Sequence, residues 1–157
     1  MNNLKEIICF FFVLYLQKKV IRFFHKDFST LDDTQLSEWL FEIAKKEGYK
    51  IKKLNYNFVD AAKLYQLNKK YLNHQTDTDI LTFDYSMDNK IFAEAFISCE
   101  ALEENAQKNN QSIEKEILRL LSHALLHCFG YMDKTQNEKS FMRLKEEECI
   151  AMFHVKQ

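Results

Sequence analysis

The chain predicts an α+β fold, a small mixed sheet of about four strands packed with helices. Three features of the sequence point there. Short apolar runs with period-two alternation are confined to the first two thirds, whereas the last third carries apolar residues at helical spacing. Proline is absent and glycine occurs only twice, at Gly48 and Gly130, so nothing marks a flexible linker or an internal boundary.

Val20 to Phe24 (VIRFF) reads as a short strand, and Leu31 to Glu47 as a helix with Trp39, Leu40 and Ile43 at helical spacing. Gly48 then stands where a helix C-terminus wants a left-handed residue. Between Tyr49 and Val59, Leu54, Tyr56 and Phe58 alternate with Asn55 and Asn57, the pattern of a half-buried strand. Asp60 is placed to cap a helix that runs to about Leu72. Ile80 to Tyr85 and Ile91 to Ile97 read as two more strands around a turn at Ser86 to Lys90. Ser98 can cap a helix carrying Leu102 and Ala106, and the remainder is helical.

A length of 157 residues suits one compact domain, read here as 20–157 after an apolar N-terminal extension, 1–19. With 46% hydrophobic and 29% charged residues the chain is neither disordered nor of low complexity. Its formal charge of -1 provides no global basic field, so any nucleic-acid contact has to be local. The run Ile7 to Leu16 (IICFFFVLYL) is too short for a bilayer, which takes roughly 20 helical residues, and no small-residue cleavage pattern follows it. No membrane attachment is expected. The cysteines Cys9, Cys99, Cys128 and Cys149 form no CxxC pair, which fits a reducing cytoplasm rather than a disulfide scaffold.

The chemistry concentrates in Leu121 to Lys134, LSHALLHCFGYMDK. Ile113, Ile117, Leu121, Ala124 and Cys128 make one apolar stripe of a helix, and Glu116, Leu120, His123 and His127 the neighbouring one. His123 and His127 therefore stand one turn apart on one side, the spacing at which two imidazoles bind a single tetrahedral ion. Gly130 allows the chain to reverse, and Asp133 can then swing back toward the pair. Two histidines at this spacing arise by chance as core or surface residues. A glycine terminator followed by an acid at HxxxHxxGxxD is what the chance reading does not predict. Three protein ligands leave a fourth position for water, as catalytic zinc sites do. Zinc peptidases place a glutamate beside the first histidine, and here that neighbour is Ala124. Glu116 is a candidate to orient His123, or else a solvated glutamate near a helix start; Glu146 to Glu148 read as an exposed acidic face.

These residues resemble the YbeY endoribonucleases, or rRNA maturation factors, whose histidine helix has the form HGxLHLxGYxH. HALLHCFGYMD follows that form, with Asp133 at the third ligand position, and Gly130 to Thr135 (GYMDKT) matches a family variant. LNKKYL (Leu67 to Leu72) and TDILTF (Thr78 to Phe83) resemble the family blocks LNxxYR and TDVLSF in the same order, so the likeness covers about Val20 to Met152. Leu72 replaces the arginine of many relatives, Ala93 and Glu94 replace a Gly-Asp pair, and Ala124 replaces a glycine. The resemblance implies a hydrolase, one zinc ion per chain, that cuts single-stranded RNA in the maturation and quality control of ribosomal RNA, with an rRNA precursor or ribosomal subunit as partner.

Phosphate contacts are expected from Lys69, Lys70, Arg119, Lys134 or the cluster Lys50, Lys52 and Lys53, and base contacts from Tyr71, His74, Tyr85 or Tyr131. Thr78 and Asp79 are expected to shape the groove wall. A different class remains open: a non-enzymatic ribosome-assembly factor with a structural ion, closed by a fourth ligand from His74, Cys149 or His154. A metallopeptidase is the third option, weakened by Ala124.

Overall fold

The computed structural model describes residues 20–27, 29–72 and 78–155. Among them four strands form one sheet: β1 (Ile21–Phe24), β2 (Lys50–Val59), β3 (Ile80–Asp84) and β4 (Lys90–Ser98). Five helices accompany it, α1 (Asp33–Lys46), α2 (Ala61–Leu72), α3 (Cys99–Lys108), α4 (Ile113–Cys128) and α5 (Gln136–Val155). The expected α+β class and mixed sheet are present. Residues 1–19, assigned to an extension, lie outside the described residues.

The spatial order is β1-β2-β4-β3. β1 and β2 are parallel, as are β2 and β4, while β3 runs antiparallel to β4 and occupies the edge. Alternation decides which side chains face inward: Leu54, Tyr56 and Phe58 of β2 join Ile91, Ala93, Ala95 and Ile97 of β4 on one buried face. Ile51 would fall out of phase with Leu54. A register shift between Ile51 and Lys53 inserts one residue and returns Ile51 to the core.

Caps set the helix ends. Asp32 accepts the N–H groups of Thr34 and Gln35, so α1 begins later than Leu31, and Ser98 and Ser112 cap α3 and α4 through their hydroxyls. Gly48 closes α1 at φ 83°, with the Tyr49 N–H returning to the Ala44 carbonyl. α4 packs on α5 and on the sheet, and two buried donors, a tyrosine and a tryptophan, fix the arrangement. The Tyr56 hydroxyl donates to the Leu121 carbonyl at 2.8 Å, and Trp39 Nε1 donates to the Cys149 carbonyl at 2.7 Å. On the other face of the sheet, α2 lays Tyr71 edge-on to Phe83, which meets Phe96. No helix among the described residues is long and apolar enough to cross a membrane.

Candidate metal centre

His123 and His127 lie on α4, and the helix end brings Asp133 back to them. Gly130 takes φ 94°, and the Tyr131 N–H closes onto the Leu126 carbonyl, a turn that L side chains resist. The chain reverses there. Nε2 of His123 and Nε2 of His127 are 3.0 Å apart, and Oδ2 of Asp133 lies 3.5 and 3.4 Å from them.

The opposite ring nitrogens settle the tautomers. Nδ1 of His127 is 2.9 Å from the Tyr131 carbonyl, which can only accept, so Nδ1 carries the hydrogen. Nδ1 of His123 is 2.6 Å from Oε1 of Glu146, a buried carboxylate that accepts in the same way. A ring that carries its hydrogen on Nδ1 presents Nε2 as an acceptor, and both Nε2 atoms face Asp133. Three potential ligand atoms therefore meet, an arrangement that a shared cation would hold together. Tetrahedral ligands at about 2.0–2.1 Å from an ion are separated by about 3.3–3.4 Å, close to the three distances in this triangle. The donor set therefore fits a borderline metal of the zinc type, with two nitrogens and one oxygen.

Glu146 corrects the expectation of an exposed acidic run. It belongs to the stripe Met142, Glu146, Cys149, Ile150 and Phe153 that α5 buries against the domain, whereas Glu147 and Glu148 face solvent. Glu116 also departs from a solvated glutamate: it is fully buried and holds Arg119 and Gln111, not His123. Spacing on α5 held the signal for Glu146. The three adjacent glutamates masked it.

Arg119 is bound into the protein. Its guanidinium lies 2.9 Å from Asp79, 2.7 Å from Glu116 and 3.7 Å from Glu146. Burial works to lower its pKa, but hydrogen bonding and charge from Glu116, with Glu146 and Asp79 behind them, raise it overall. Asp79 does line the groove, a cavity of about 530 Å³ that also includes His123, Asp133 and Glu146. Thr78 spends its hydroxyl on the Ile80 carbonyl.

The other expected contacts scatter. Lys69 and Lys70 sit exposed on the last turn of α2, with Lys70 over the Tyr71 ring, and Lys134 is exposed beyond the turn. Lys50, Lys52 and Lys53 are exposed on β2, and Lys53 lines a different cavity with Tyr85. Tyr131 donates its hydroxyl to Glu47 at 2.8 Å. His74 lies outside the described residues. Of the other proposed fourth ligands, Cys149 is buried in the core and His154 lies edge-on to Phe153; neither joins the three donors.

The family described as Endoribonuclease YbeY matches residues 21–154. The Endoribonuclease YbeY of Flavobacterium johnsoniae is 41% identical over 134 residues, covering 85% of this chain and 96% of that protein. The one from Cytophaga hutchinsonii is 39% identical over 140 residues, covering 87% and 98%. A solution structure from Thermotoga maritima superposes with a TM-score of 0.59 at 28% identity, covering 87% of this chain and 90% of that one. With the family matched over residues 21–154 and relatives of about two-fifths identity along most of their length, the chain belongs to the YbeY endoribonuclease family.

Proposed function

We propose that this protein is a metal-dependent endoribonuclease that cuts single-stranded RNA during maturation and quality control of ribosomal RNA, in the cytoplasm. One zinc ion is its cofactor, held by His123, His127 and Asp133. The convergence of two imidazole nitrogens and one carboxylate oxygen within 3.5 Å of one another is the observation that carries the reading. Family membership supports the reaction class.

Bound there, zinc would supply Lewis acidity toward a phosphodiester oxygen and a water ligand whose pKa falls toward about 7. The rest is the work of this chain. Glu146 and the Tyr131 carbonyl hold the two Nδ1 positions and so aim both Nε2 atoms at the metal position. Asp133 adds a carboxylate oxygen to the two imidazole nitrogens. Arg119 braces Asp79, Glu116 and Glu146 behind the donors, so the carboxylate behind His123 stays in place. Ala124, fully buried beside His123, offers no general base, which speaks against peptide cleavage.

The test is cleavage of a labelled single-stranded RNA by zinc-loaded protein, by chelator-treated protein and by His127→Ala. Cutting by the first alone is expected. Equal cutting by all three would point to a contaminating nuclease, and metal binding without any cutting would assign the ion a structural role in an assembly factor.

A further inference from the structure

The cations around the groove differ in how far they are committed. Arg119 lines the groove too, but its guanidinium is already held by three carboxylates. Lys139 and Arg143 line the same groove from α5, and Lys108 lines it from the last turn of α3. All three are exposed, and among the described residues their charged groups have no hydrogen-bond, ion-pair or ring partner. The groove's carboxylates are each engaged: Asp79 and Glu146 meet Arg119, Glu147 meets Lys115 at 3.4 Å, and Asp133 faces the imidazoles. Of the groove's charged side chains, the ones left without a protein partner are therefore these three cations, although the chain as a whole carries -1.

We propose that Lys139 and Arg143, together with Lys108, form the track that holds the phosphates of the single-stranded RNA on the α5 side of the metal donors. The assignment rests on the endoribonuclease reading above and adds where the strand lies. Lys139 and Arg143 stand one turn apart, with Cβ atoms about 5–6 Å from each other, so two long side chains can engage neighbouring phosphates of one strand. Neither has to give up a protein partner to do so, whereas Arg119 would have to weaken its charge-assisted bonds to Glu116 and Asp79. Lys69 and Lys70, on α2, do not line this groove. The track residues touch backbone only, so the contribution is to affinity and placement rather than to base identity.

The experiment compares Lys139→Gln/Arg143→Gln with Lys69→Gln/Lys70→Gln, two double variants that each remove two exposed charges. Anisotropy of a fluorescent single-stranded RNA carrying 2′-O-methyl groups reads binding across a salt series, and cleavage of unmodified RNA reads kcat and KM. For the α5 variant, affinity is expected to fall about tenfold at moderate salt. The slope of log K against log salt should become shallower by about 1.4, about 0.7 for each phosphate that the variant no longer neutralises. KM should rise while kcat stays within about twofold, with the circular-dichroism melting curve unchanged. The α2 variant should retain most of the affinity and slope. An α5 variant that binds and cuts like the wild type overturns the track, and so does an equal loss in both variants, which would reflect bulk charge. Wild-type protein that binds RNA with the expected slope but never cuts it would sink the endoribonuclease reading and leave the track standing.

Discussion

Glu146 Oε1 lies 2.6 Å from His123 Nδ1, so a residue of the last helix fixes the tautomer of a residue on the helix before it. Carboxylates behind metal-binding imidazoles raise the basicity of the ligand and hold its ring, and losing one typically costs about 10–100-fold in metal affinity. Glu146→Ala is expected to lose that much in a competition titration against a chromophoric chelator. Glu146→Gln retains an oxygen that can accept from Nδ1 but not the charge, and should lie between Ala and wild type. Equal affinities in all three proteins would show that the carboxylate does not support the donor.

Three ligand atoms held this close together favour a cation that they can share. Binding to the folded state alone stabilises it by about 2.7 kcal/mol when free ion exceeds Kd a hundredfold. Zinc should therefore raise the melting temperature of the wild type in a thermal-shift series, by about 2–4 °C for each kcal/mol in a domain of this size. His127→Ala and Asp133→Ala should lose that increment. Retention of the full shift by either variant would place the ion elsewhere.

The particular residues show what spacing alone can carry. His123, His127, Gly130 and Asp133 are legible because helix periodicity and one left-handed glycine fix their relation within a single stretch of chain. The four strands are legible from alternation, but their order is not: β2 pairs with β4 across an intervening helix and strand, and nothing local encodes that choice. Glu116 and Glu146 stand at the spacing of buried positions but escape for a chemical reason. Glutamate is usually solvated, and burial here depends on partners: Arg119 one turn along α4 for Glu116, and Arg119 and His123 across the α4–α5 contact for Glu146.

Tyr56 couples the sheet to the helix that carries His123 and His127. It is fully buried, and its hydroxyl donates to the Leu121 carbonyl two residues before His123. Burial raises its pKa well above the usual value, with Cys128 and Cys149 adding to the effect, so it remains a neutral donor. Tyr56→Phe removes the donor without opening a large cavity, and a loss of about 1–2 kcal/mol is expected from urea unfolding. Unchanged stability would mean that water or a shifted backbone replaces the bond.

Cys149 links stability to alkaline pH. Its carbonyl accepts from Trp39, and burial pushes its thiol up to about 12, with the charge of Glu47 acting in the same direction. An unfolded thiol titrates at about 8.5. Below that value both states hold the proton and the group adds no pH dependence. Above it the unfolded chain releases its proton while the folded chain keeps it, so this contribution to stability is lost as pH climbs toward 12. Urea midpoints should accordingly fall above about pH 9, and Cys149→Ala should flatten that decline even if its cavity lowers stability throughout. Site-resolved alkylation gives the second readout: at about pH 8, below the unfolded thiol's own titration, Cys149 should stay unmodified in the native protein and react once urea unfolds it. Rapid native alkylation at Cys149 would show that the thiol is neither enclosed nor held protonated.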